Sequence, residues 1–242
     1  MKSFYLFFLS ALFAPVLSHQ WKYSNCNNGQ IASVKNTLSD IQLLARAAAD
    51  ASEGGHGKTH AWFGRPYEGL SPPDESLNSR YHKIANSMQS PPVKDITIDC
   101  NKRASCCSAG RRVLGCGDRP GEDTIYLCSG YWDLPQQRVY ELAGPSSLTN
   151  AQIQENYQTQ AWALLHEISH AAYATKDQKY TVKDRNGNPQ ACGGYGQYCV
   201  LKLAEMDPDK ARRNADTVAL FALAAYYGIS KFQTDPNLLE GI

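Results

Sequence analysis

Two histidines four residues apart, His166 and His170, enclose a glutamate, Glu167. On a helix, a turn of about 100° per residue leaves the two imidazoles about 40° apart and one turn from each other, so both can face one metal ion. Glu167 then points about 100° away from His166, badly placed as a ligand but able to reach a water on the metal. Zinc brings the pKa of such a water towards neutrality, and a nearby carboxylate can take its proton as general base. The same group, once protonated, can return the proton to a leaving amine. That is peptide hydrolysis without a covalent enzyme intermediate. An H-E-x-x-H string arises by chance in about one per cent of chains of this length, so its surroundings must support it. The alternative is a hydrogen-bonded pair of core histidines.

A catalytic zinc takes three protein ligands and keeps one position open. No further histidine follows in an H-E-x-x-H-x-x-G-x-x-H extension. The acidic candidates downstream are Asp177, Asp184 and Glu205, with the Cys192 thiol as an outsider. His19 sits near the start of the chain, and His56, His60 and His82 lie in loop or surface contexts, where a solvated ring is the simpler reading.

These residues need a scaffold. Residues 151–174 read as one long helix, apolar nearly all round in its second half through Trp162, Leu164, Leu165, Ile168 and Ala171. A helix of that kind is buried, and its polar residues must find partners there. Ile31, Val34, Leu38, Ile41, Ala45 and Ala48 recur at spacings of three and four, which predicts a helix over 31–52. Residues 74–88 suit a second helix, 201–206 a short one, and 209–227 a last one stopped by Gly228. Residues 95–100 and 124–128 suit strands, with a loop or hairpin between them. Residues 176–190 are polar and turn-rich, and Asn186-Gly187-Asn188-Pro189 is turn chemistry.

Lys2 followed by an apolar run from Phe4 to Val16 reads as a secretory signal peptide over residues 1–18, too short to span a bilayer as a helix. Residues 19–242 then form a single domain, expected to be secreted and off the membrane. Eight cysteines in an exported chain, with no C-x-x-C pair, read as up to four disulfides, and Cys192 as a half-cystine. With 24 basic and 23 acidic residues the net charge is +1, which gives no field to draw in nucleic acid.

The segments Trp62-Phe63-Gly64, Asp99-Cys100, residues 125–132, the helix motif from Leu165 to His170, Tyr195-Gly196-Gln197 and Asn214-Ala215-Asp216-Thr217 together resemble the deuterolysin-like fungal zinc metallopeptidases. These are also called aspzincins and include lysine-specific metalloendopeptidases. The resemblance implies an α+β, mainly helical zincin-type domain with a small antiparallel β ribbon and several disulfides. It implies one catalytic Zn2+ and protein or peptide substrates, with a preference for Lys or Arg next to the scissile bond. In the family the third ligand is an aspartate in a G-T-x-x-D-x-x-Y-G segment. Here Cys192, not an aspartate, stands three residues before Tyr195. Asp177 keeps D-x-x-Y with Tyr180 but follows His170 by only seven residues, whereas Asp184 follows by fourteen. The chain must leave the helix and turn back, so the longer reach favours Asp184, with Asp177 as second choice. The resemblance gives Tyr195 an oxyanion-stabilising role and Asp216 a place in a pocket for basic side chains; the alternative for Asp216 is support of a zinc histidine. A long pro-region, frequent in the family, is not expected between the signal peptide and the domain. The protein is read as a monomeric zinc endopeptidase. The alternatives are a weak or inactive zinc-binding, effector-like protein on the same fold and a metal-free disulfide-rich protein.

Overall fold

A computed structural model describes residues 19–53, 62–63, 77–87, 91, 94–101, 104–108, 113–117, 123–136, 138–141, 158–183 and 187–229. The signal-peptide segment 1–18 lies outside them, as do His56, His60, Gly64 and Asp184.

β1 (Trp21–Ser24) leads into α1 (Asn28–Glu53), which starts three residues before its apolar repeat. The reason is a capping box: Asn27 Oδ1 accepts the Gln30 N–H and Gln30 Oε1 accepts the Asn27 N–H, both at 2.9 Å. The Cys26–Cys100 disulfide ties this helix start to the end of β2 (Ile96–Asp99). α1 buries Val34, Leu38, Ile41, Leu44, Ala45 and Ala48, the expected stripe, against α2 (Leu77–Ala85) and against the two helices that follow.

Those two are α4 (Gln160–Tyr173) and α7 (Ala215–Tyr226), numbered after the one-turn α3 (Ser129–Trp132), α5 (Gln197–Met206) and α6 (Pro208–Arg212). Every residue of α7 from Ala215 to Ala224 is buried, which makes it the central helix. Around it Phe63 meets Phe221 edge-on at 5.3 Å, and the Tyr81 hydroxyl donates to the Val218 carbonyl at 2.7 Å. Gly228, at φ +65°, ends the helix in the left-handed region that glycine adopts without strain.

The other face of α4 packs on a four-stranded sheet of order β1-β2-β4-β3, with β3 at Gly115–Gly117 and β4 at Thr124–Leu127. β1, β2 and β4 run parallel and β3 pairs antiparallel with β4. Both expected strands are present and lie parallel to each other; the expected hairpin is the antiparallel pairing of β3, within the segment between them, with β4. Disulfides Cys106–Cys116 and Cys107–Cys128 staple this region, and Cys192–Cys199 completes a set that uses all eight cysteines. The small antiparallel ribbon is elsewhere, in the stretch read as turns: β5 (Tyr180–Lys183) pairs with β6 (Pro189–Cys192). The single last helix expected over 209–227 is two, separated at Arg213–Asn214.

Candidate metal centre

α4 begins at Thr159, whose hydroxyl accepts the Trp162 N–H at 3.3 Å, and ends at Ala174 in the left-handed conformation, φ 51°. His166 is 6 % and Glu167 8 % exposed on this helix. The end of the helix decides the site. The Ala174 N–H donates to the His170 carbonyl and the Thr175 N–H to the Ser169 carbonyl, and the Ser169 and Thr175 hydroxyls meet at 2.8 Å. The chain therefore reverses within one turn and brings Asp177 back over the histidines.

The donor atoms form a nearly equilateral triangle. His166 Nε2 and His170 Nε2 are 3.1 Å apart, and Asp177 Oδ1 is 3.3 Å from each. Four ligands on zinc at tetrahedral angles, with bonds of 2.0–2.1 Å, sit about 3.3 Å from one another. His170 Nδ1 lies 2.7 Å from the Thr175 carbonyl, which can only accept; Nδ1 carries the proton and the Nε2 lone pair faces inward. His166 Nδ1 faces Asp216 Oδ1 at 3.4 Å, which favours the same tautomer. Two lone pairs at this distance need a cation between them. Asp177 Oδ1 is buried with no hydrogen-bond partner and points into the same space. Burial opposes a charge on His166, yet Asp177 and Asp216 bring its pKa up to about 10. Orphaned oxygen, inward lone pairs and preference for positive charge all fit a zinc ion.

Asp177 was the second choice, and Asp184 lies outside the described residues. The left-handed turn at Ala174, which no glycine announces, is what puts Asp177 within reach of the histidines. Among the described residues the other proposed ligands are elsewhere: Cys192 is in a disulfide, and Glu205 is exposed and pairs with Lys202 at 2.7 Å. Cys106, Cys107 and Cys116 also cluster, but all three are in disulfides. Burial works against ionisation of Asp177, but the two histidines and a phenol hold its carboxyl far below the usual range. That phenol is Tyr195, whose hydroxyl donates to Asp177 Oδ2 at 2.5 Å while its ring stacks on His166. Burial and Asp177 push the Tyr195 phenol well above its ordinary pKa, so it remains a donor.

Asp216 is fully buried. Its second oxygen accepts the Gly196 N–H at 2.6 Å. Its two oxygens thus face inward, to the His166 ring and to the Gly196 N–H.

Glu167 lies against β3. A Cβ built on Gly115 would come within 2.8 Å of Glu167 Cγ and 3.1 Å of its carboxyl carbon. Only glycine leaves room for the glutamate there, a requirement the sequence reading missed although a Gly-Cys-Gly tripeptide stood in view. Burial raises the Glu167 pKa, with the histidine charges acting the other way. Gly115→Ala is expected to lower kcat on a peptide substrate about 10²-fold by displacing Glu167, with zinc content unchanged by metal analysis. An unaltered kcat would show that the glutamate moves aside freely.

A family model described as lysine-specific metallo-endopeptidase matches residues 48–223. The peptidyl-Lys metalloendopeptidase of Grifola frondosa is 25 % identical over 86 % of this chain and 48 % of its own length. The neutral protease 2 homolog of Arthroderma gypseum is 26 % identical over 85 % of this chain and 47 % of its own. The chain thus spans about half the length of these curated relatives. The solved structure of a zinc peptidase from Grifola frondosa shares the fold, with a TM-score of 0.52 and 22 % identity over 82 % of this chain and 97 % of that one.

Proposed function

Because the chain belongs to the lysine-specific metallo-endopeptidase family, the aspzincins, we propose that it is a zinc endopeptidase cleaving proteins and peptides. The observation that carries this reading is the triangle of His166, His170 and Asp177 at zinc-ligand spacing beside Glu167. These three would hold the ion, whose Lewis acidity activates a water and polarises the scissile carbonyl. Glu167 takes the proton of the attacking water and, as the acid, delivers it to the departing amide nitrogen. Its burial, which raises its pKa, suits a group that must hold a proton between the two transfers. Tyr195 turns its phenol proton from Asp177 towards the negative charge that develops on the carbonyl oxygen. Asp216 and the Thr175 carbonyl hold the histidine rings in the tautomer that ligation needs.

The preference for lysine next to the scissile bond rests on the name of the Grifola relative and on the family description. Secretion rests on the apolar leader and on four disulfides, which persist in oxidising compartments. No helix among the described residues is long and apolar enough to cross a membrane. Residues 19–242 act as a single monomeric domain in this reading.

Purified protein is expected to contain one zinc per chain by metal analysis, to cleave casein, and to lose and regain activity with chelator and added zinc. A peptide set differing only beside the cleaved bond reads the lysine preference. Bound zinc with no turnover on any unfolded substrate would replace the enzyme with a zinc-binding protein on the same fold.

A further inference from the structure

Asn214 occupies the N-cap of α7, where its side chain would ordinarily accept a backbone N–H of the first helical turn, yet it makes no such bond. Its amide is used in three other directions. Oδ1 accepts the Gln178 N–H at 3.0 Å; Nδ2 donates to the Gly194 carbonyl at 2.9 Å and to Thr217 Oγ1 at 3.0 Å. Asn214 has no solvent exposure. Gln178 directly follows Asp177, and Gly194 directly precedes Tyr195.

The two segments that Asn214 joins touch one another. Gly194 has φ +85°, and a Cβ on it would fall 2.6 Å from the Gln178 nitrogen and 2.8 Å from Asn214 Oδ1. The backbone beside Asn214 is engaged as well: Lys176 N–H donates to the Arg213 carbonyl at 2.7 Å and Ala215 N–H to the Lys176 carbonyl at 3.3 Å. These bonds break the helix that the sequence would run unbroken from 209. A helix gives up its continuity and its cap to hold one strand of chain on either side of a single amide.

We propose that Asn214 is the positioning residue of the centre, setting Asp177 and Tyr195 in place by holding their neighbours Gln178 and Gly194 on one side chain. The amide suits all three contacts at once, its oxygen accepting one bond and its nitrogen donating two, whereas a carboxylate has no donor and a hydroxyl only one. This inference rests on the zinc-peptidase reading for its consequences but not for its geometry.

Asn214→Ala is the test, with Thr217→Val as the control that removes the remaining contact of the same amide and touches neither segment. In Asn214→Ala, zinc affinity measured by chelator competition is expected to fall roughly 10–100-fold. At saturating zinc, kcat is expected to fall about 10²-fold with KM within twofold. Thr217→Val is expected to keep both within twofold. Hydrogen exchange on the metal-free protein supplies a readout independent of zinc and turnover: Asn214→Ala is expected to speed exchange at Gln178 and Tyr195 together. Wild-type protein that takes no zinc would sink the enzyme reading, while the exchange result still decides the clamp. Unchanged exchange in Asn214→Ala, or zinc affinity and kcat no worse than in Thr217→Val, would overturn the proposal.

Discussion

A Glu167→Gln variant is expected to keep its zinc and lose peptide hydrolysis by a factor of about 10²–10⁴, the usual contribution of a positioned general acid–base group. Glutamine has the shape of glutamate, so it fits the space that Gly115 leaves open, and it offers no carboxylate to accept a proton. The loss should fall on kcat at saturating zinc, with one metal per chain by elemental analysis. Because Glu167 is 8 % exposed and buried in the helix core, removing its charge relieves a buried ion, so the fold should be no less stable than wild type in thermal unfolding. A variant that cleaves casein at the wild-type rate would remove Glu167 from the chemistry and with it the proposed mechanism.

The contrast between Glu167 and the third ligand shows what the sequence discloses. Residues close together on one helix have a geometry set by the helical period, so His166, Glu167 and His170 could be placed before any coordinates. The apolar stripe of α1 was legible for the same reason. Three features were not. The parallel pairing of β2 with β4 is a tertiary choice that strand propensity does not encode. The left-handed turn at Ala174 lacks the glycine that would mark it, and so Asp177 seemed too near to reach the metal. The break at Arg213–Asn214 coincides with an N-cap residue type, Asn214, and an acidic first turn, but the bonds to Lys176, Gln178 and Gly194 that go with it are tertiary. Asn214 and Asp216 stood inside a recognisable motif, yet their partners Gly194, Gly196 and His166 lie 20 to 50 residues away in sequence. Helical periodicity carries no information about such contacts.

The proposed third ligand, Asp177, gives the second large effect. Asp177→Ala is expected to weaken zinc binding by more than the roughly 100-fold that loss of a ligand's hydrogen-bond partner costs, since it removes a donor atom and a negative charge together. Two neutral imidazoles would then hold the ion, and the Tyr195 hydroxyl would lose its acceptor. Chelator competition reads the affinity, and hydrolysis should disappear at zinc concentrations that saturate the wild type. Asp184→Ala is the companion measurement, with zinc affinity expected within twofold of wild type. The opposite pattern, zinc lost with Asp184 and kept without Asp177, would mean that the triangle at 3.1–3.3 Å is not the ligand set. The pair of variants also tests the helix end itself. Asp177 can ligate only if the chain turns back at Ala174, because seven residues continued as helix would carry it about 10 Å beyond His170.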